Sequence, residues 1–218
     1  MSIVIKKVKQ MWPSGHEFFY MLLKGPKRYK HLYKSIKFLK ANTLLEIGVW
    51  NGDRAKKMIE VAKKYNEGTI RYYGFDLFED LSKDQYLKEM SKIPPTKEYV
   101  QNKLTLEGVE VHLFSGNTLD TLPKEINEMP TMDFVFIDGG HSNETILNDW
   151  IYCSKLIGPK SVVIFDDYWR NRTDGGCKLT VDNIDKTIYK VEILPEIDIF
   201  ENPDFGHLEI SFAKVTLK

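Results

Sequence analysis

Three aspartates in this sequence have a spacing that could support metal-assisted chemistry. Asp138 follows the apolar run 134–137, and Asp166 and Asp167 follow the apolar run 161–165. If the two runs are neighbouring parallel strands joined by one helix, their ends lie about 5 Å apart. Carboxylates this close repel one another unless a cation neutralises them, and oxygen-only ligands select Mg²⁺, Ca²⁺ or Mn²⁺. We therefore predict a metal site here, with helix capping and a solvated turn as the alternative.

A histidine lies beside the first of these acids and could move a proton. His141 comes three residues after Asp138, behind two glycines and just before a predicted helix. An imidazole can be unprotonated near neutral pH and can then act as a general base. We predict Asp138 and His141 as catalytic residues; a lone histidine is more often structural, but the position of His141 makes a catalytic role equally expected.

A second group of residues is typical of a nucleotide-binding turn between a strand and a helix. The run 43–47 carries one acid, Glu46, and apolar residues recur at helical spacing from residue 55. Glycines in the turn let the backbone approach a ligand closely, and the turn aims a helix N-terminus at that ligand. The predicted binding residues of this segment are Glu46, Gly48, Trp50 and Gly52.

Two further polar residues follow the next strands along the chain. Asp76 lies 24 residues after Gly52, at the end of the predicted strand 69–75, where a carboxylate can accept both hydroxyls of a ribose. Helix capping is the alternative for Asp76. Asn117 follows the predicted strand 109–114 and could bond an adenine edge, although a polar turn residue is equally expected there.

The order of these elements predicts the fold class. Strand and helix alternate five times, which is typical of a doubly wound, mostly parallel α/β sheet of the Rossmann-like kind. The runs 188–194 and 208–215 have no helix between them and therefore predict a C-terminal antiparallel hairpin. We predict one domain over residues 41–218, preceded by an N-terminal helical cap or lid over residues 1–40.

The amino-acid composition limits which kinds of binding partner are expected. The 218 residues carry no net charge, so a general polyanion binder is not indicated. Residues 1–40 nevertheless hold ten basic residues and one acid, which fits a lysine-coated helix face better than a nucleic-acid arm. No apolar run reaches membrane-spanning length, and two distant cysteines suggest neither a disulfide framework nor a zinc site. A cytoplasmic setting is expected.

Four short motifs in this order resemble those of class I S-adenosylmethionine-dependent methyltransferases, and in particular the small O-methyltransferases. They are Glu46–Gly52, Tyr73–Asp76, Phe136–His141 and Val163–Tyr168. The resemblance covers about residues 40–215. It implies that Glu46, Gly48 and Asp76 contact the cofactor and that Asp138, Asp166 and Asp167 bind Mg²⁺.

The sequence departs from that family at two positions. Some metal-dependent members have a second acid where this chain has Gly140, and catechol-type members have asparagine where this chain has Asp167. The resemblance therefore does not identify the general base, and His141 is the nearest candidate.

The function expected from the sequence is Mg²⁺-assisted transfer of a methyl group from S-adenosylmethionine to a small-molecule hydroxyl of a sugar, phenol or natural product. An RNA methyltransferase or a non-catalytic nucleotide-binding module is the first alternative. A nicotinamide oxidoreductase is the second, disfavoured by Trp50 in place of the middle glycine and by the C-terminal hairpin. Nucleic acid is not an expected partner, and the chain could form a homodimer.

Overall fold

A central sheet organises the molecule in a computed structural model that describes residues 26–89, 93–202 and 206–218. The strand order is β3-β2-β1-β4-β5-β8-β6, and β7 also pairs with β8. The first five strands pair in parallel, and β8 runs antiparallel to β5, β6 and β7. The predicted fold class is therefore confirmed. The strands are β1 Thr43–Ile47, β2 Ile70–Asp76, β3 Val109–Ser115, β4 Met132–Ile137, β5 Ile157–Trp169, β6 Tyr189–Ile193, β7 Asp198–Asn202 and β8 Gly206–Leu217.

Helices follow most strands, and short 3₁₀ turns include Lys27–Tyr29 ahead of the first helix. Among the described residues, no helix is long and apolar enough to cross a membrane. The helices are α1 Lys30–Leu39, α2 Asp53–Tyr65, α3 Lys83–Lys88, α4 Lys97–Leu104, α5 Thr118–Glu125, α6 Asn143–Cys153 and α7 Lys178–Asp182.

The sheet is buried because helices cover both of its faces. On one face, α1 and α2 pack on each other and α1 packs on β4 and β5; on the other face, α6 packs on β4. Two separate apolar clusters fill these layers. Strands β1 and β4 contribute side chains to both clusters, which explains why their sequences are apolar nearly throughout.

The N-terminal helix is built as its apolar spacing predicts. Tyr29, Leu32, Tyr33 and Ile36 are all buried in the cluster that α1 shares with α2. Residues 1–25 of the predicted N-terminal cap lie outside the described residues. The division into a cap over 1–40 and a domain over 41–218 therefore stays a prediction.

The C-terminal half differs from the prediction in the extent of β5. This strand begins at Ile157 and continues to Trp169, so that Gly158-Pro159 and both Asp166 and Asp167 lie within it. The reason is that β8 pairs along β5 beyond the end of the parallel pairing, with Trp169 opposite Ile210. The prediction that these aspartates follow the strand was wrong, and neither β7 nor α7 was predicted.

The turn after β1 has little room for a side chain. Gly48 has a φ of +88°, and a Cβ atom on it would lie 2.0 Å from the carbonyl oxygen of Asp138. Such contact requires a glycine for both conformational and steric reasons. The close approach holds the β1 turn against the β4 turn, where the predicted catalytic residues lie.

We expect Gly48→Ala to destabilise the protein strongly. Gly108→Ala is the matched control, because Gly108 also has a positive φ, +71°, but a Cβ there meets nothing within 4 Å. The control should cost about 1 kcal/mol, and Gly48→Ala at least about 2 kcal/mol more, because overpacking adds to backbone strain. Urea unfolding measures both, and equal losses would show that the contact with Asp138 is unimportant.

Candidate active site

A cavity of about 450 Å³ opens at the carboxyl ends of the central strands. This volume is within the range of roughly 300–1,000 Å³ for small-molecule sites, and the position is where open α/β sheets bind ligands. Eight of the ten predicted site residues line it, whereas Glu46 and Gly52 do not. The eight are Gly48, Trp50, Asp76, Asn117, Asp138, His141, Asp166 and Asp167.

The three predicted metal ligands converge in this cavity. One carboxylate oxygen from each of Asp138, Asp166 and Asp167 lies within 4.8 Å of the others. The pairing of β5 with β8 shifts register between Phe165 and Tyr168, and Asp167 has a φ of +55°. A regular strand would send successive side chains to opposite faces, so this bulge allows both aspartates to reach one site.

Asp166 is already paired with a cation from the N-terminal turn. Arg28 donates from Nε to Oδ1 over 2.8 Å and from Nη2 to Oδ2 over 3.1 Å, and the hydroxyl of Tyr29 donates to Oδ2 over 2.9 Å. Both Arg28 and Asp166 are buried. The guanidinium also reaches Asp198 on β7 through Nη1, over 2.9 Å. The charge of Asp166 is thus balanced within the protein.

Asp167 is paired with the predicted base. His141 lies 2.8 Å from Asp167 Oδ2 through Nε2 and 2.6 Å from the Glu89 carbonyl oxygen through Nδ1. A carbonyl only accepts, so Nδ1 carries a proton. Burial alone would lower the pKa of His141, but the charge and hydrogen bond of Asp167 outweigh it and raise the pKa to about 9. This disagrees with our expectation of an unprotonated His141 near neutral pH.

Asp138 differs from its two neighbours. In the described part of the chain, no hydrogen bond reaches its carboxyl group, which faces the cavity. Burial, together with the nearby charges of Asp166 and Asp167, raises the pKa of Asp138 well above its usual value. A carboxylate with this environment has a strong tendency to take up a proton.

Asp76 is held in a fixed orientation at the end of β2. Its Oδ2 accepts from the backbone N–H of Trp50 over 2.6 Å, and its Oδ1 accepts from that of Phe78 over 3.1 Å. Trp50 has a φ of +47°, which turns its N–H toward the acid, and its half-exposed side chain lines the cavity. The two loops that end β1 and β2 are therefore joined through this carboxylate.

The structure places two of the predicted cofactor residues in structural roles. Glu46 is completely buried behind the cavity wall, where Oε2 accepts from the hydroxyl of Tyr72 and Oε1 has no partner among the described residues. Asn117 lines the cavity, but its Oδ1 accepts from the N–H of Leu119 over 3.0 Å and caps α5. Contact of either side chain with a cofactor stays a prediction.

Sequence reasoning missed several residues of the cavity wall. Arg54, in the first turn of α2, lies over the ring of Tyr29 at 3.2 Å, and its buried Nε has no hydrogen-bond partner among the described residues. Its position directly behind the glycine turn was a usable signal. Arg28 and Phe200 had no such signal in the sequence, because their segments reach the cavity only through the tertiary fold.

Comparison with known proteins identifies related molecules. A family model described as a methyltransferase domain matches residues 45–168, more than half of the chain. No curated protein is detectably similar in sequence.

Several solved structures share the fold. An O-methyltransferase from Bacillus cereus in complex with SAH is 18% identical, with a TM-score of 0.60 over 95% of this chain and 93% of that chain. The calicheamicin methyltransferase CalS11 is 15% identical, with a TM-score of 0.61 over 91% and 79%. MycE, from the mycinamycin pathway and in complex with Mg and SAH, is 12% identical, with a TM-score of 0.52 over 88% and 48%.

The buried Glu46 predicts a dependence of stability on pH. Burial raises its pKa from 4.5 to about 8, although the Tyr72 hydrogen bond and the charge of Arg54 lower it in part. Between these values the unfolded chain loses the proton while the folded chain keeps it, so stability falls as the pH rises. Glu46→Gln removes this loss.

We therefore expect Glu46→Gln to gain about 3–5 kcal/mol relative to wild type between pH 5 and pH 9. The measurement is urea unfolding of both proteins at the two pH values. The exposed Glu67→Gln serves as the control and should follow wild type. Parallel pH profiles for Glu46→Gln and wild type would show that Glu46 is ionised in the folded protein.

Proposed function

We propose, because this chain belongs to the methyltransferase domain family, that it transfers a methyl group from S-adenosylmethionine to a hydroxyl of a small molecule. One observation carries the proposal: three features line one cavity. They are the fixed carboxylate of Asp76, the N-terminus of α2, and the acidic cluster, by which we mean Asp138, Asp166 and Asp167. The first two suit a nucleoside with an anionic group, and the third suits an acceptor that must lose a proton.

The residues at the ends of β1 and β2 would hold the methyl donor. Asp76, whose oxygens are oriented by two backbone N–H groups, would accept hydrogen bonds from the ribose hydroxyls. The N-terminus of α2 and the guanidinium of Arg54, whose Nε has no hydrogen-bond partner among the described residues, would receive the carboxylate of the methionine part. Trp50 and Asn117 line the same end of the cavity and would contact the adenine base of the methyl donor. Gly48 has no side chain and therefore leaves space for the ligand.

Apolar residues beyond the acidic cluster would bind the acceptor. Trp169, Phe200, Leu208 and Ile210 line this part of the cavity, which favours an acceptor with an aromatic or otherwise apolar body. The wall is formed by β5 and the β7–β8 hairpin. The hydroxyl of a sugar, phenol or natural product bound against these apolar residues would reach the carboxylates of the acidic cluster.

As long as no metal occupies the cluster, Asp138 is the base that the contacts favour. It would take the proton of the acceptor hydroxyl, and the acceptor oxygen would then attack the methyl carbon in line with the carbon–sulfur bond, whose electron pair goes to sulfur. The raised pKa makes the ionised form of Asp138 a stronger base, and it is this form that accepts the proton. His141 is the alternative base, and it can serve only when Nε2 is released from Asp167.

The acidic cluster also fits a hard divalent cation in ligand type and spacing. Asp138, Asp166 and Asp167 offer only oxygen atoms, within 4.8 Å of one another, and would hold Mg²⁺. When bound, Mg²⁺ would lower the pKa of the acceptor hydroxyl. Two of these carboxylates are paired with Arg28 and His141 in the described arrangement. No observation favours the RNA methyltransferase, the non-catalytic module or the nicotinamide oxidoreductase.

We expect S-adenosylmethionine to bind, and Asp76→Ala to weaken binding at least about tenfold through the loss of charge-assisted hydrogen bonds. Calorimetry with the purified protein measures the change. Asp84→Ala, an exposed acid on α3, is the matched control and should bind as wild type does. Binding of NAD without binding of S-adenosylmethionine would refute the proposal.

The roles of Asp138 and of the metal can be tested separately by measuring turnover with a hydroxyl substrate that the enzyme accepts. Asp138→Asn should lose about 10²–10⁴-fold in rate while cofactor affinity is kept, and His141→Gln should lose much less. A metal requirement predicts that EDTA abolishes turnover and that added Mg²⁺ restores it. Full activity in EDTA would leave the carboxylates without a metal role, and a fast Asp138→Asn enzyme would exclude that residue as base.

A further inference from the structure

Arg28 connects three elements that are distant in sequence. It lies in the Lys27–Tyr29 turn, pairs with Asp166 in the β5 bulge, and pairs with Asp198 at the start of β7. The backbone N–H groups of Lys27 and Arg28 also donate to Asp198, over 3.1 and 3.4 Å. The side chain of Arg28 is only 5% exposed, so water weakens these ion pairs little.

The acceptor positions of Asp166 are filled. Its Oδ1 accepts from Arg28 Nε over 2.8 Å and from the backbone N–H of Asp167 over 2.6 Å. Its Oδ2 accepts from Arg28 Nη2 over 3.1 Å and from the Tyr29 hydroxyl over 2.9 Å. Each carboxylate oxygen has about two acceptor positions, so no lone pair of Asp166 is left for a further ligand.

A cation at Asp166 must therefore replace a donor. The Asp167 N–H is part of the backbone, and the Tyr29 hydroxyl carries no charge. The guanidinium of Arg28 is the group whose positive charge would oppose a second cation most strongly, because both would lie within a few ångströms of one buried carboxylate.

We propose that Arg28 is the resident counter-cation of the acidic cluster and that a divalent metal ion binds Asp166 only by displacing its guanidinium. Arg28 therefore positions Asp166 and lowers the affinity of the cluster for metal. Because Arg28 and Tyr29 also line the cavity, metal binding at Asp166 would require this part of the cavity wall to rearrange. The inference rests on the metal site of the proposed function and adds a residue that controls its occupancy.

The test is the affinity for Mn²⁺ and Mg²⁺, measured by calorimetry on metal-free protein without substrate. Arg28→Met keeps apolar length but removes the competing charge, and it should bind metal at least about tenfold more tightly than wild type. Arg170→Met is the matched control. Arg170 also links β5 to its surroundings, through Ser211 and the Leu194 carbonyl, but it does not pair with the cluster.

Thermal unfolding gives a second readout that does not depend on activity. Without a counter-charge, Asp166 is a buried unpaired carboxylate, so Arg28→Met should melt below wild type in EDTA. Added metal should then raise its melting temperature more than it raises that of wild type, because tighter binding stabilises more. If Arg28→Met does not fold in EDTA, Arg28→Lys keeps the charge, loses the bidentate contact and should show an intermediate gain in affinity.

An Arg28→Met protein that binds metal no more tightly than wild type would overturn the inference, and so would the absence of metal binding by both proteins. An equal gain in Arg170→Met would overturn it as well. Titration of S-adenosylmethionine in EDTA separates this outcome from failure of the proposed function. A protein that binds the methyl donor but shows no effect of Arg28 on metal keeps the function and loses the inference.

Discussion

Mutual repulsion among three carboxylates is the constraint on which the rest of this structure depends. Asp138, Asp166 and Asp167 meet at one end of a buried sheet, where the surrounding apolar layers weaken screening by water. Each of the three charges is accommodated in a different way. A guanidinium neutralises Asp166 and an imidazolium neutralises Asp167. Asp138 has no hydrogen-bond partner in the described part of the chain, and its pKa is raised instead. Two of the three charges are thus compensated within the protein, and the carboxyl group of Asp138 remains available to exchange a proton.

The compensating charges come from different segments of the chain. Arg28 arrives from the N-terminal turn, and His141 is fixed by the backbone of Glu89, whose carboxylate in turn accepts from Ser142 and Thr145 at the start of α6. The acidic cluster therefore organises its surroundings as well as lining the cavity. A change to either counter-charge alters the balance for the whole cluster, because each pairs with an aspartate that lies within 4.8 Å of the other two.

The parts of this molecule that depend on local pattern could be predicted from the sequence. Parallel strands, the glycine turn and the strand-end position of Asp76 follow from periodicity and spacing, and the closeness of Asp138 to the Asp166–Asp167 pair follows from strand adjacency. The bulge in β5 that brings both members of this pair to one site was not predicted. The pairing of Arg28 with Asp166 spans 138 residues of chain, and no local signal encodes it. The burial of Glu46 was equally hidden, because an acid in a strand can point to either face and only the packed layers decide which.

The placement of the acceptor wall on a hairpin at one end of the sheet has a consequence for changing specificity by protein engineering. β7 and the first half of β8 pair with each other, and β8 is the strand of this hairpin that pairs with β5. Residues on this hairpin can therefore be exchanged without altering the strands that would carry the methyl donor. The exception is Asp198, which anchors the N-terminal turn, so a transplanted hairpin must bring an acid at that position.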